Sequence, residues 1–273
     1  MSQSSGWKYA AIIIFTGFAI LFVAEVLYFS GLHSFLNIYA TTLSPIMAFF
    51  LGIVGLNFFG RESLVKEDRF HAMNVWMALG LIVFSLAEVT GILIRVTGNS
   101  SDIYFTIGLV QMPALLLWCL GVVGYLRSSN SALGVFNGER MSSILVILSS
   151  LVGLALVVIM TLIRPEQTIL IIFVSVPVII GLGVLLLILG GIVWVLREGL
   201  IARPLILMFL GILLLLIRSL FWGIINYSPG SSFDYITAIE GFVLVGAALA
   251  VASRIDDVYF EESAGSPEEE TAE

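Results

Sequence analysis

Two histidines and one cysteine are all that 273 residues offer of the side chains that usually hold zinc, haem or a disulfide. Cys119 alone permits no intramolecular disulfide. His33 is expected in a connection and His71 at a helix start, so a bis-histidine haem or a zinc site of several histidines is not expected. Lysine is equally scarce. Lys8 and Lys66 both fall early, and no late helix offers a lysine for a retinal Schiff base. There is no glycine loop of the phosphate-binding type and no Ser/His/Asp set. No aspartate is expected deep in an apolar run. Glutamates can do acid–base work, so an intramembrane enzyme is the least favoured reading rather than an impossible one. No catalytic residue and no cofactor are assigned, the metal question is left open, and nothing points to nucleic acid.

Charge is scarce too. Charged residues make up 11% of the chain, against about 25% in an ordinary soluble domain. Hydrophobic residues reach 59%, and mean hydropathy is +1.10. Such a chain lacks the polar groups to cover a water-facing surface. Several apolar runs reach the roughly 20 residues that cross a bilayer as a helix. The short alternating segments of a transmembrane barrel are absent. The expected class is an all-α, polytopic integral membrane bundle with short loops and no large soluble domain. Its first partner is the lipid bilayer, and its oligomeric state is not readable.

Eight spans are expected, at Trp7–Phe29, Thr42–Phe59, Ala72–Ile94, Ile103–Leu126, Ser142–Ile163, Thr168–Leu196, Pro204–Asn226 and Asp234–Ser253. The first is too long for a signal-peptide core and is kept as a span. Residues 1–254 form the transmembrane domain. Residues 255–273 form an acidic tail, expected to be disordered and cytoplasmic. The tail holds eight of the nineteen acids and no base, leaving eleven acids against twelve bases elsewhere. The net charge of −7 therefore belongs to the tail.

Orientation follows from the bases. With both termini cytoplasmic in a cell membrane, Lys8, Arg61, Lys66, Arg69, Arg127, Arg140, Arg197, Arg203 and Arg254 lie inside, while Arg95 and Arg164 lie outside. Arg218 falls within the seventh span.

The spans also repeat. Ala24-Glu25-Val26 matches Ala87-Glu88-Val89. "NIYATTLSP" from Asn37 matches "DIYFTIGLVQMP" from Asp102, and "LGIVGLNFFGR" from Leu51 matches "LGVVGYLR" from Leu120. "FDYIT" from Phe233 echoes the outer motif once more. Four related hairpins are expected, at about 7–61, 71–127, 141–197 and 203–254. All enter from the same side, unlike the inverted repeats common in transporters.

The repeat copies a carboxylate into apolar surroundings. Charges inside a membrane usually face the bundle interior and mark a site, a pathway or a mutual ion pair. Glu25, Glu88, Glu240 and Arg218 are expected in one slab, roughly 7–12 Å below the outer surface at ~1.5 Å of rise per residue. Gln111 adds an amide to that slab, and Tyr39, Tyr104 and Tyr235 stand just above it. These eight residues are the candidate binding site. Two functions compete. One is transport or permeation of a small solute or cation through an outward-facing polar site. The other is a sensory or accessory scaffold in which an Arg–Glu pair merely locks two helices.

Overall fold

The computed structural model describes residues 5–59, 69–96, 103–133, 169–224 and 232–264, with short pieces between 147 and 162. Seven long helices occupy these residues: α1 (Ser5–Phe29), α2 (His33–Phe59), α3 (Arg69–Val96), α4 (Ile103–Leu133), α5 (Ile169–Leu196), α6 (Ala202–Ile224) and α7 (Ser232–Ala264). All seven are long and apolar enough to cross a membrane, which is the architecture of a multi-pass membrane protein. No strand occurs among the described residues. The fifth expected span, Ser142–Ile163, lies largely outside them.

The α1–α2 connection is tighter than the sequence suggests. Leu32 N–H donates to the Leu27 carbonyl and Gly31 N–H to the Tyr28 carbonyl. That is the two-bond cap that closes a helix through a left-handed residue. Gly31, at φ 73°, supplies the conformation without a Cβ clash. Because the turn uses so few residues, α2 starts at His33 rather than Thr42. His33 is thus helical, not part of a loop. At the other end of the chain, α7 runs through Ala264, past the expected start of the disordered tail. Ile255 explains part of that extension, since it is buried against Ala10, Ala247 and Val251.

Six helices close into a ring. Around it, α2 packs on α3, α3 on α4, α4 on α5, α5 on α6, α6 on α7, and α7 back on α2. Helix α1 stands outside the ring, against α7, and barely touches α2. Prolines Pro45, Pro113 and Pro177 lie inside α2, α4 and α5, where each deletes one helical amide donor. The α3–α4 seam is fixed by Trp118, fully buried, whose indole N–H donates to the Met77 carbonyl at 2.9 Å. Phe84 lies against both Trp118 and Phe242, tying α3 to α4 and α7.

The α6–α7 seam is closest at two glycines. A Cβ at Gly211 would stand 2.7 Å from the Gly241 carbonyl oxygen, so only glycine permits this approach. Arg218 follows Gly211 by seven residues, and Asp234 precedes Gly241 by seven. In antiparallel helices these equal offsets, about 10 Å of rise each, carry the two side chains to the same level.

Candidate functional site

Arg218 is the hub of a buried ion triad. Its Nε donates to Asp234 Oδ1 at 2.7 Å and its Nη2 to Asp234 Oδ2 at 2.9 Å. Its Nη1 donates to Glu88 Oε1 at 2.6 Å, and Nη2 reaches Glu88 Oε2 at 3.3 Å. Both carboxylates are thus gripped in the forked geometry that a planar guanidinium favours. Ser44, fully buried on α2, donates to Glu88 Oε2 at 3.2 Å. The cluster joins α2, α3, α6 and α7.

Solvent is nearly excluded. Side-chain exposure is 2% for Glu88, 5% for Asp234 and 13% for Arg218. At such burial each charge loses its hydration, and pairing is what makes it tolerable. Yet the pairing is unequal, with two carboxylates facing one guanidinium. The other described basic side chains lie well away along the chain's helices: Lys8, Arg69, Arg127, Arg197 and Arg203 at or near helix ends, and Arg254 twenty residues along α7 from Asp234.

A cavity of about 40 Å³ adjoins the triad. That volume holds about three water molecules. Its polar lining comes from Glu88, Gln111, Arg218, Ser219, Asp234 and Tyr235, and its apolar wall includes Phe84, Val178 and Leu182. Ser219 spends its hydrogen on the Leu215 carbonyl and keeps its lone pairs free. Helices α3, α4, α5, α6 and α7 all contribute, so the space lies within the helical ring.

The sequence-level candidates divide into separate groups. Glu88, Arg218, Gln111 and Tyr235 come together at the cavity. Glu240 does not join them. It lies six residues along α7 from Asp234, about 9 Å deeper at helical rise, and turns toward α1. A Cβ at Gly17 would stand 3.2 Å from its Oε2, and its Oε1 is buried without a hydrogen-bond partner. Tyr39 also turns to α1, where its hydroxyl donates to the Ile20 carbonyl at 3.3 Å. Glu25 is exposed on the outer face of α1. The side chain of Tyr104 is outside the described residues. This division has one physical cause: α1 packs against the ring from outside, so residues on and facing α1 stand apart from the interior.

Asp234, Ser44 and Ser219 were not legible as site residues. Asp234 is the third residue of α7 and reads from sequence as a helix-start acid in the interface, where the helix dipole favours it. One signal pointed to it: a guanidinium buried two turns from a helix end needs anions at its own level, and Asp234 lies nearer that level than Glu240. No group of three or more His, Cys, Asp and Glu side chains among the described residues is arranged to hold a metal ion. The chain matches no family model, no curated protein and no solved structure.

Proposed function

We propose that this chain is a membrane permeation or transport protein that handles a small solute or cation at the Glu88–Arg218–Asp234 triad. One observation carries the reading. Two carboxylates and one guanidinium are buried beside a cavity that polar side chains from four helices converge on. Intramembrane charges so placed mark substrate and ion pathways in membrane proteins. A pure lock needs no cavity and no second carboxylate.

The proposal includes eight spans in four related hairpins, the fifth span crossing near Ser142–Ile163. It places both termini in the cytoplasm of a cell and the cavity toward the outer face, a reading that the distribution of bases supports. Residues 1–254 then form the transmembrane domain and the remainder an acidic tail. The duplicated tripeptides support the repeat: Ala24 and Ala87 are both buried, whereas Val26 and Val89 are both exposed. The two hairpins have since diverged in packing, since α1 barely touches α2 while α3 packs closely on α4.

A second reading has its own observation. Arg218 makes four hydrogen bonds to two carboxylates, enough for a purely structural lock in a sensory or accessory bundle. Flux separates the two. Proteoliposomes carrying the wild-type chain should pass small cations or solutes faster than empty vesicles, and Glu88→Gln should abolish the difference. Equal flux with and without protein would leave only the lock.

A further inference from the structure

The charge balance of the triad specifies what its cavity holds. We infer that the site takes up a single positive charge, a proton or a sodium-sized monovalent cation, held between Asp234, Glu88 and the Gln111 amide. The inference rests on the reading of the triad as a binding site and narrows the ligand to one class.

Three observations lead there. The first is stoichiometric. With both acids ionised, the triad carries one uncompensated negative charge at 2% and 5% exposure. An unpaired charge in such surroundings is costly, and a single cation relieves it. The second is the supply of ligand atoms. Arg218 satisfies one direction of each carboxylate oxygen, but each oxygen accepts two hydrogen bonds or ligands. Ser44 fills a second direction only on Glu88 Oε2. Gln111 lines the same space and has no hydrogen-bond partner among the described residues. Its carbonyl oxygen suits a hard cation, either directly or by accepting from a water bound to it. The third is size. A cavity of about 40 Å³ leaves room for a bare or partly hydrated monovalent ion beside the carboxylates.

Among the described side chains, no other group around the triad supplies the missing charge. Of those described side chains, α2 brings Ser44, α4 brings Gln111, and α5 brings Val178 and Leu182. Helix α7 adds Tyr235, a neutral phenol. Glu240, on α7, faces α1 instead.

The test uses the purified full-length chain in detergent. Its melting temperature is compared in sodium, potassium and choline chloride at equal ionic strength. Infrared spectra are recorded across pH for the carboxylic-acid band. If sodium is the ligand, it should raise the wild-type melting temperature by about 3 °C or more over choline. Asp234→Asn should remove that rise, and Gln111→Leu should shrink it. If a proton is the ligand, sodium has no effect, and a carboxylic-acid band appears in wild type that Asp234→Asn or Glu88→Gln deletes. The inference is overturned if wild type shows neither a sodium-specific rise nor such a band, a result that needs no variant to fold. It is equally overturned if Asp234→Asn, Glu88→Gln and Gln111→Leu all keep the wild-type response. Vesicle flux is scored separately. Cation uptake without flux removes the transport reading and keeps this one. Flux of a solute without cation or proton dependence does the reverse.

Discussion

Arg218 and Asp234 face each other across the α6–α7 seam as a doubly hydrogen-bonded pair, Nε to Oδ1 at 2.7 Å and Nη2 to Oδ2 at 2.9 Å. The pair exists because Gly211 and Gly241 bring the two backbones together about two turns away. Glu88, from a third helix, completes the arrangement. Backbone contact, ion pair and cavity are therefore linked, and each can be perturbed separately.

Removing the cation should be worse than removing the whole cluster. Arg218→Ala strands two buried carboxylates, and breaking a desolvated pair costs about 3–5 kcal/mol. Adding Glu88→Gln and Asp234→Asn to Arg218→Ala should recover part of the lost melting temperature. Additive losses across the series would show that the three side chains are not coupled.

Arginine geometry should matter as well as charge. Arg218→Lys keeps the cation but cannot grip two carboxylates in fork geometry. A thermal melt should place it between wild type and Arg218→Ala. A melt indistinguishable from wild type would mean that simple charge neutralisation is all that Arg218 provides.

The glycine seam should control the ion pair at a distance. In Gly211→Ala the new methyl meets the Gly241 carbonyl oxygen at 2.7 Å and Val245 at 2.8 Å, so the helices must separate. A double-mutant cycle between Arg218→Ala and Asp234→Asn reads the coupling. That coupling should fall in the Gly211→Ala background. An unchanged value would show that the pair forms independently of the seam.

The duplicated glutamates should behave differently. Glu88 is buried and triply contacted, whereas Glu25 is exposed on α1. Glu88→Gln should lower the melting temperature by several degrees, and Glu25→Gln should stay within about 0.5 kcal/mol of wild type, the usual range for an exposed position. Equal losses would mean that Glu25 has a buried partner.

Membrane composition and the positions of the seven described helices were legible because long apolar runs have few alternatives. So was Arg218 meeting at least one of Glu25, Glu88 and Glu240, since a buried guanidinium must find an anion at its own depth. Which carboxylates joined was not legible. Glu25 and Glu88 share a local sequence, but α1 lies outside the ring while α3 lies within it, and that packing choice sits in no tripeptide. Glu240 and Asp234 share one helix, and six residues of rotation and rise decide that one faces α1 and the other Arg218. The α2 start was misplaced because "HSFLNIYATT" carries enough polar groups to resemble a loop, yet their hydroxyls satisfy helix carbonyls, as Thr41 does with Asn37 at 2.7 Å.

Topology can be tested independently of the site. In a chain with Cys119 replaced by alanine, cysteines at Ser100 and Ser231 should react with an impermeant maleimide added to intact cells. One at Ser131 should react only after lysis. The reverse pattern would turn the cavity toward the cytoplasm.

The central claim, that the triad is a site and not only a lock, is tested most directly by cation flux into proteoliposomes, with the wild-type chain beside Asp234→Asn and Glu88→Gln reconstituted in equal, folded amounts. Wild-type vesicles should take up sodium, or protons read by an internal pH dye, well above empty vesicles. Both variants should fall to the empty-vesicle rate while still melting cooperatively. Flux that persists unchanged in both folded variants, or a wild type no faster than empty vesicles, would contradict the account.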